Sequence, residues 1–551
     1  EPHGIIIYSS APGCVIRVPS RIPAFHGLSA FICSIRVICV PSRVPFHMSK
    51  ILPLDDLASV IAKHKADGKR VALCHGCFDL LHLGHMKHFE AAKADADVLV
   101  VTVTPDRFVN KGPGRPVFTE ALRMEAIAAL GAVDHVGLNK WETAIETIKL
   151  LKPDLYVKGQ DYKDRTKDVT GMIAKEEAAA IAVGGKLHFT EEIQFSSSSL
   201  INAHFSPLDD SVQGFLADFR KRFDADAIIA DLEALKELKV LVIGDTIIDE
   251  YHYCRPLGKS SKSPTISSIL LREEAYAGGV LAIANHLEQF AGSVDLLTCL
   301  GAKDERREMI EEKLSSSVER TYFVRPDGPT PIKRRYLDHY LSIKLFEVTF
   351  MNDEPVGGAL ETSIIETLKM KLPACDLVVV ADFGHGMMSP AIIDLLQKSG
   401  KYLVVNAQTN SNNYGYNYIT KYTRADYISI DEAELRLPFG AKREPLDGLI
   451  DRLQAISHAN EVQITLGQKG SIYRKGRDQS LTPAFATRIK DSVGAGDAVL
   501  SVTALCAKAG LDPAVIGFVG NCTGALAVEI IGNEHPVYKK DLLKFVKHLL
   551  K

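Results

Sequence analysis

The sequence predicts two α/β domains in tandem, and three observations lead to this prediction. With 551 residues, the chain is long enough for two or three hydrophobic cores. Short apolar runs alternate with helical patterns, which is typical of parallel sheets with crossover helices. Two glycine-containing turns, near residues 80 and 495, each precede a helical pattern. We therefore expect one phosphate-binding turn in each domain.

The composition indicates a globular cytoplasmic protein that binds small molecules. Charged residues make up 24% and hydrophobic residues 46% of the chain, and the formal net charge is -3. Because there is no basic excess, we expect no nucleic-acid partner. The apolar stretch over residues 25–40 is interrupted by Arg36, so we expect no membrane partner either. The ten cysteines are scattered and are expected to be reduced thiols, and a homo-oligomer is compatible with these features.

Residues 1–47 differ in composition from the rest of the chain. Glu1 is their only acidic residue, whereas four arginines are spread among apolar residues and prolines. A transit peptide is one interpretation, but we favour an upstream extension with Met48 as the natural start. The boundaries expected from the whole sequence are 1–47 for this extension, 48–205 for the first domain, 206–237 for a linker helix and 238–551 for the second domain.

The strongest signal in the first domain follows its first predicted strand. The segment from Gly76 to His85 leads from an apolar run into a helix-compatible segment. Gly76 permits a tight turn there, and Gly84 lets the backbone approach a ligand closely. His82 and His85 are then expected at the first turn of the helix, whose amino end attracts phosphate. Two imidazoles at this place can donate hydrogen bonds to the oxygens of a reacting phosphorus centre.

The segment Gly76-Cys-Phe-Asp-Leu-Leu-His-Leu-Gly-His85 closely resembles the signature of the HxGH nucleotidyltransferase superfamily. The resemblance covers roughly residues 50–205 and implies a Rossmann-like fold. It implies that a sugar 1-phosphate attacks the α-phosphorus of a nucleoside triphosphate and releases pyrophosphate. The residues that it implies are His82, His85 and Lys111 as catalytic residues, Gly76, Phe78, Asp79, Gly84, Arg123, Lys158, Asp161, Ser196, Ser197 and Ser198 as cofactor-binding residues, and Arg115 and Tyr162 as substrate-binding residues.

Two segments of this domain have a second interpretation. The serine run at residues 196–199 is also compatible with a flexible linker or a helix N-cap. Cys74 and Cys77 have a spacing at which two thiols can share a zinc ion. No second pair of ligands follows nearby, and both cysteines belong to the expected phosphate turn, so we favour nucleotide binding over metal binding.

The second domain is predicted from repeated apolar strands and a second glycine turn. Residues 239–249 indicate a buried strand that ends at Asp245 and Asp249, and the runs 376–382 and 401–406 repeat the pattern. In Asp491-Ser-Val-Gly-Ala-Gly-Asp497, the glycines let backbone amides converge on an anion at a helix start. A carboxylate at this turn can accept the proton of an attacking hydroxyl.

This half of the chain, roughly residues 238–551, resembles the ribokinase-like (PfkB) sugar kinases. The resemblance rests on the Gly-Ala-Gly-Asp turn, the Gly278-Gly279 pair, residues 330–335 and Asp382, which follow the family's order. It implies Asp497 as the catalytic base, Gly494, Ala495 and Gly496 as the anion hole, Asp249, Gly278 and Gly279 as sugar-binding residues, and Asp431 and Glu434 as residues near the metal.

Three departures from the resembled heptose kinases lie around this site. Ala282 stands where they have an asparagine, Asn406-Ala-Gln408 stands where they have Asp-Pro-Lys, and Asp431 replaces another asparagine. A neutral glutamine cannot stabilise phosphate charge as a lysine does. The departures indicate either a different acceptor sugar or weakened kinase chemistry, and because Asp497 and its glycines are retained, we expect an active kinase.

Both halves together resemble the bacterial bifunctional heptose-phosphate kinase/adenylyltransferases, in inverted order. The resemblance implies a kinase that phosphorylates a sugar phosphate at its anomeric hydroxyl and a transferase that adds AMP to a sugar 1-phosphate, with ATP and Mg²⁺. Two alternatives stay open. The first domain would be a cytidylyltransferase that acts on a polyol phosphate, or the second would be a non-catalytic sugar- or nucleotide-binding module.

Overall fold

The computed structural model describes residues 6–8, 15–17, 49–109, 115–160, 172–190, 208–341 and 343–551. The chain divides into two compact units. One contains Glu1–Phe108 and Phe118–Phe195, and the other contains Val109–Val117 and Ser196–Lys551. A separate antiparallel pair near the amino terminus consists of β1 (Ile6–Tyr8) and β2 (Val15–Arg17).

The N-terminal unit is built on five parallel strands. These are β3 (Val71–Gly76), β4 (Val98–Val103), β5 (His135–Leu138), β6 (Leu155–Gly159) and β7 (Lys186–Thr190). Its helices are α1 (Leu54–Ala66), α2 (Leu83–Ala94), α3 (Glu120–Ala128), α4 (Ile145–Leu151) and α5 (Met172–Ala182). The strands lie in the order β5-β4-β3-β6-β7. The order reverses between β3 and β6, and the crevice outside the carboxyl ends of strands at such a point is the usual ligand site.

Both faces of this sheet are covered by helices, which explains why its strands are apolar without alternation. On β3, Val71 and Leu73 belong to the core cluster that also contains residues of α1 and α4. Ala72 and Cys74 point to the opposite face, into the cluster that contains residues of α2 and α3. The predicted α/β class and the predicted strands of this domain are thereby confirmed.

The C-terminal unit is built on a large sheet and a small one. Its strands are β8 (Lys239–Lys259), β9 (Ile266–Gly279), β10 (Ser293–Gly301), β11 (Glu319–Arg325), β12 (Ile332–Asp338), β13 (Lys344–Phe350), β14 (Leu377–Asp382), β15 (Tyr402–Ala407), β16 (Tyr427–Asp431), β17 (Glu461–Thr465), β18 (Ser471–Lys475) and β19 (Asp478–Thr482). Its helices are α6 (Asp210–Arg222), α7 (Ala225–Ala234), α8 (Val280–Glu288), α9 (Arg307–Lys313), α10 (Gly358–Lys371), α11 (Pro390–Lys398), α12 (Glu432–Arg436), α13 (Leu446–Ser457), α14 (Ala495–Ala509), α15 (Pro513–Ala527) and α16 (Lys539–Leu549).

The large sheet has the order β11-β10-β8-β14-β15-β16-β17-β18-β19 and is parallel except at β18 and β19. The small sheet has the order β9-β8-β12-β13, with β8 shared between the two. Up to Asp245, β8 pairs with β10 and β14, and from Thr246 onward it pairs with β9. The expectation that this strand ends at its two aspartates was therefore wrong, because distant segments continue its pairing as far as Lys259.

The segment predicted to form a linker helix contains two helices, α6 and α7, which pack within the C-terminal unit. The ring of Phe219 on α6 stacks on Phe518 of α15 at a centroid distance of 4.5 Å. Arg220 donates a hydrogen bond of 2.6 Å to the carbonyl oxygen of Leu549. Throughout the ranges that the structure describes, every helix is too short or too polar to cross a bilayer.

Candidate active sites

The turn after β3 is shaped by a close contact between its first and third residues. Phe78 has a φ of 48°, in the left-handed region that non-glycine residues rarely adopt. Its ring lies over Gly76, and a Cβ on Gly76 would be 2.9 Å from the Cζ of Phe78. Asp79 is buried and its Oδ1 accepts a hydrogen bond of 3.2 Å from the backbone N–H of Phe118. Local strain of this kind is found at ligand-binding turns.

The two histidines of the motif lie side by side at the start of α2. Their rings stack at a centroid distance of 4.0 Å, and His82 is the N-cap residue of the helix. The Nδ1 of His82 accepts a hydrogen bond of 3.1 Å from the backbone N–H of Gly84. Burial lowers the pKa of His82, so the ring is neutral near pH 7. A neutral ring whose Nδ1 is an acceptor carries its proton on Nε2, and His82 can therefore donate from Nε2.

Arg123 has a different environment from the one that the sequence implies for a nucleotide-binding residue. Its side chain is 1% exposed. Its guanidinium donates to the carbonyl oxygens of Phe118, Cys77 and Thr104 and to the carboxylate of Asp106, at 2.5–3.0 Å. These four partners occupy the guanidinium and connect the turn after β3 with the end of β4. Arg123 thus stabilises the turn after β3 through these hydrogen bonds.

Lys158, at the end of β6, forms a buried ion pair with Glu176 of α5, with 3.0 Å between Nζ and Oε2. Two half-buried histidines lie nearby, and desolvation and the charge of Lys158 lower the pKa of His75 to about 3 and that of His88 to about 4. They are neutral, and they contact Thr102 and Thr190. Glu176 could not be singled out from the sequence, because two adjacent glutamates on a helix usually face solvent.

The remaining implied residues of this domain are only partly described. Arg115 is half-buried. Lys111, Asp161, Tyr162 and Ser196, Ser197 and Ser198 lie outside the described residues. Cys74 is buried, and burial raises the pKa of its thiol. Within the described ranges, no three His, Cys, Asp or Glu side chains are grouped to hold a metal ion, and this holds for the neighbourhood of Cys74 and Cys77.

In the C-terminal unit, the second glycine turn caps α14. Gly494 is the N-cap residue with a φ of +80°, and a Cβ there would be 1.9 Å from the Oδ1 of Asn533. Only glycine fits this position. A Cβ on Gly496 would meet no atom within 4 Å, so the space beside it is open. Ala495, Gly496 and Asp497 form the first turn of α14, and the amino end of a helix can bind an anion.

Asp497 is buried at this turn, and its Oδ1 accepts a hydrogen bond of 2.8 Å from Nε2 of Gln408. Burial, together with the nearby negative charge of Asp249, raises the pKa of Asp497 to about 7. A carboxyl with this pKa is well matched to accept a proton at neutral pH. Lys333 pairs with Asp249 in the register of β12 and β8 and is also buried, although the sequence analysis did not single it out.

Asp249 is held on the small sheet by Arg335, whose Nη1 contacts its Oδ1. A Cβ on Gly278 would be 2.2 Å from the Oδ2 of Asp249, so the glycine makes room for this carboxylate. Gly279 has a φ of +57° and is the N-cap residue of α8. Ala282, which stands in place of the family's asparagine, is buried on the same helix.

Asp431 and Glu434 form a capping box at the start of α12. The Oδ1 of Asp431 accepts from the N–H of Glu434 at 2.7 Å, and the Oε2 of Glu434 accepts from the N–H of Asp431 at 2.8 Å. Burial and the neighbouring Asp431 raise the pKa of Glu434. The arrangement explains both residues as helix caps, and the Asp-x-x-Glu spacing in the sequence already indicates it.

Asp382, at the end of β14, borders a cavity of about 340 Å³. Its Oδ2 accepts from Tyr422 at 2.6 Å and pairs with Nζ of Lys421 at 2.5 Å. Asn417 donates to its Oδ1 at 3.2 Å. This carboxylate is therefore compensated by its own neighbours, and amide side chains from the loop after β15 line the cavity beside it.

Comparison with known proteins gives matches for both halves of the chain. Residues 73–204 match the family model described as cytidylyltransferase-like. The bifunctional protein HldE of Citrifermentans bemidjiense is 38% identical over 155 residues, which cover 28% of this chain and 30% of that protein. HldE of a Nitratiruptor species is 46% identical over 122 residues, which cover 22% of this chain and 26% of that protein. Each alignment spans less than a third of the relative.

Among solved structures, the ribokinase of Arabidopsis thaliana in complex with ribose and ATP has a TM-score of 0.42 and 18% identity, with 57% of this chain and 99% of that chain covered. Residues 237–539, just over half of the chain, match the model of the pfkB family of carbohydrate kinases. The chain therefore belongs to the pfkB carbohydrate kinase family and carries a cytidylyltransferase-like domain ahead of its kinase domain.

Proposed function

We propose that the chain is a bifunctional sugar-activating enzyme. The kinase domain would phosphorylate a sugar, in our proposal a heptose phosphate, at its anomeric hydroxyl. The first domain would transfer a nucleotidyl group, AMP from ATP, to a sugar 1-phosphate. The observation that carries this proposal is that a buried carboxyl group with a raised pKa, Asp497, lies in the amino-terminal turn of a helix beside open glycine backbone.

In the proposed kinase step, the anomeric oxygen attacks the γ-phosphorus of ATP. Its proton passes to the carboxylate of Asp497, a new phosphorus–oxygen bond forms, and the bond to the bridging β–γ oxygen breaks to release ADP. Gln408 holds Oδ1 of Asp497, which leaves Oδ2 for the proton. The backbone N–H groups after Gly494 lie where they can stabilise charge on the transferred group.

In the proposed nucleotidyl step, an oxygen of the sugar 1-phosphate attacks the α-phosphorus of ATP and pyrophosphate leaves. No proton has to move, since both the nucleophile and the leaving group are anions. Catalysis is then positioning and charge stabilisation. His82 and His85, stacked at the helix amino terminus, provide donors on the side where negative charge develops.

We place ATP at the starts of α2 and α14, because the amino end of a helix favours phosphate. Mg²⁺, when bound, would neutralise part of the triphosphate charge. The described residues offer no cluster of three or more ligating side chains. The capping box uses Oδ1 of Asp431 and leaves its Oδ2 for an ion, whereas both carboxylate oxygens of Glu434 accept backbone hydrogen bonds. We therefore propose that the ion is held mainly by the triphosphate oxygens.

A substrate screen on the full chain tests the proposal. Hexoses, heptoses and their phosphates are each incubated with ATP or CTP, and ADP and pyrophosphate are measured separately. We expect ADP with a sugar or sugar phosphate, and pyrophosphate with a sugar 1-phosphate and ATP. Pyrophosphate from CTP and a polyol phosphate would favour a cytidylyltransferase instead. Saturable sugar binding without ADP would refute the kinase activity.

The raised pKa of Asp497, whose hydrogen-bond donor Gln408 is neutral, leads us to expect a specific pH dependence of the kinase. Because Asp497 acts as a carboxylate and its pKa is raised to about 7, kcat/KM should fall about tenfold per pH unit below that value. Gln408→Lys places an ammonium group where the amide now donates. This charge favours the carboxylate, so the acid limb of kcat/KM should move to lower pH by about one unit or more.

A charge-matched control is available for this prediction. Gln454→Lys adds the same charge on α13, where the native amide bonds to the carbonyl oxygen of Ala459, before β17. This position is at the amino ends of the strands, opposite the turn at Gly494. The control should keep the wild-type profile. An unchanged acid limb in Gln408→Lys would contradict the role of Asp497 as the base.

A further inference from the structure

Asp491, the first residue of the second glycine turn, has a carboxylate that receives four hydrogen bonds. Its Oδ1 accepts from Nζ of Lys344 at 2.6 Å and from the backbone N–H of Val493 at 3.1 Å. Its Oδ2 accepts from the hydroxyl of Tyr251 at 2.6 Å and from the backbone N–H of Gly532 at 3.2 Å. The side chain of Asp491 is only 5% exposed. Each of the two carboxylate oxygens of Asp491 thus accepts two hydrogen bonds.

These donors join three parts of the C-terminal unit. Val493 belongs to the glycine turn itself, and Gly532 precedes Asn533, which packs directly against Gly494. The carboxylate of Asp491 therefore holds the turn from both sides. The positions of the backbone N–H groups that follow depend on this anchor.

The other two donors come from the small sheet. Tyr251 lies on β8, and Lys344 begins β13, the edge strand of the sheet. Nζ of Lys344 also lies 5.3 Å from the ring centroid of Tyr251. Burial by itself would raise the pKa of Asp491, but the hydrogen bonds from Lys344 and Tyr251 bring that pKa below its usual range. The carboxylate is thus charged, and the ammonium group of Lys344 compensates it.

A second contact of β13, with the loop after β15 of the large sheet, can be compared with the contact between Lys344 and Asp491. Oγ1 of Thr349 donates a hydrogen bond of 3.3 Å to Oδ1 of Asn412, in the loop after β15. This contact involves no charge and does not reach Asp491. The two contacts therefore separate general attachment of β13 from the particular effect of the Lys344 ammonium group.

We propose that Lys344 is a positioning residue for phosphoryl transfer, which links the small sheet to the phosphate-binding turn through Asp491. The proposal rests on the kinase function proposed above. Asp249, on the same small sheet, is the residue expected to face the sugar, so a shift of this sheet on sugar binding would reach the turn through Lys344. The lysine itself need not touch either substrate.

Loss of the ammonium group should lower the rate of phosphoryl transfer more than it weakens sugar binding. Without Lys344, the carboxylate of Asp491 loses one charge-assisted hydrogen bond, and its hold on Val493 changes. Small displacements of positioning groups have large effects on rate. We expect Lys344→Met to lower the kinase kcat about tenfold and to change KM for the sugar by less than about twofold. Lys344→Arg, which keeps a cationic donor, should retain most of the activity.

Chemical rescue distinguishes this effect from a general loss of structure. In Lys344→Ala, propylammonium at millimolar concentration should restore part of kcat, because it supplies the missing charged N–H donor. Tetramethylammonium has the same charge but no N–H and should not restore it. Thr349→Val removes the neutral contact of β13 and should leave kcat close to the wild-type value.

Hydrogen exchange of the free protein tests the link without any kinase assay. Peptides that cover residues 491–497 should exchange faster in Lys344→Met than in the wild type, Lys344→Arg or Thr349→Val. Unchanged exchange together with an unchanged kcat would overturn the proposal, as would equal losses of kcat in Lys344→Met and Thr349→Val. If the wild type phosphorylates no carbohydrate, the kinase function fails. Faster exchange in Lys344→Met alone would then still support the anchoring of the turn.

Discussion

Replacement of His85 by alanine is expected to lower the rate of nucleotidyl transfer about 10²–10³-fold. His85 stacks on His82 at the start of α2, with its ring edge-on to Phe78 at a centroid distance of 5.4 Å. In this position its imidazole can donate to the oxygens of the α-phosphorus when their charge increases. Alanine is the best helix former, so α2 should persist. The measurement is pyrophosphate release at saturating ATP and sugar 1-phosphate.

A second histidine of the same domain gives a matched control. His64 on α1 contacts His135 at the first residue of β5, with 3.3 Å between the two Nε2 atoms. This pair lies at the amino ends of the strands, away from the turn at Gly76. His64→Ala should keep nucleotidyl transfer, and His85→Ala should keep the kinase activity of the C-terminal domain. Equal pyrophosphate release by wild type and His85→Ala would remove His85 from the proposed mechanism.

Local sequence signals predicted the two helix starts well. The residues from Gly76 to His85 contain the local signals of their turn: a glycine after a buried strand, an N-cap at His82 and a glycine two residues later. The turn at Gly494 is likewise indicated by residues close in sequence, since Gly494 has a positive φ and is the N-cap residue of α14. In both cases the local pattern is sufficient to locate the turn in the sequence.

Partners that are distant in sequence could not be predicted in this way. Arg123 is separated by 46 residues from Cys77, whose carbonyl oxygen it binds, and nothing local distinguishes it from an arginine that contacts phosphate. The length of β8 depends on pairing with β9 and β12, which lie further along the chain. The contact of Lys344 with Asp491 spans 147 residues. These relations follow from the packed fold and not from motif spacing.

Replacement of Asp497 by asparagine is expected to lower the kinase kcat about 10²–10⁴-fold, the usual contribution of a general base. Asparagine has nearly the same shape, and its carbonyl oxygen can accept the hydrogen bond from Gln408. The proton of the attacking hydroxyl would then have no acceptor. Nucleotidyl transfer should be unchanged. A matched control is Asp512→Asn at the N-cap of α15, where asparagine caps as well as aspartate. Retention of kinase activity by Asp497→Asn would refute the assignment of the base.

The same substitution should make the folded chain more stable, and the pH at which it does so identifies the cause. The pKa of Asp497 is about 7 when folded, against 3.8 for an ordinary aspartate, because burial and Asp249 disfavour its charge. Below 3.8 the carboxyl is protonated in both states and the variant gains nothing. As pH rises from there to about 7, the unfolded chain ionises first, and the wild type loses stability relative to the variant. The gain should level off above pH 7 at about 1–4 kcal/mol in the free energy of unfolding. Denaturant titrations at pH 4, 6 and 8 measure this gain. If the difference in free energy of unfolding did not depend on pH, burial of the Asp497 charge would not be the cause of the lower stability of the wild type.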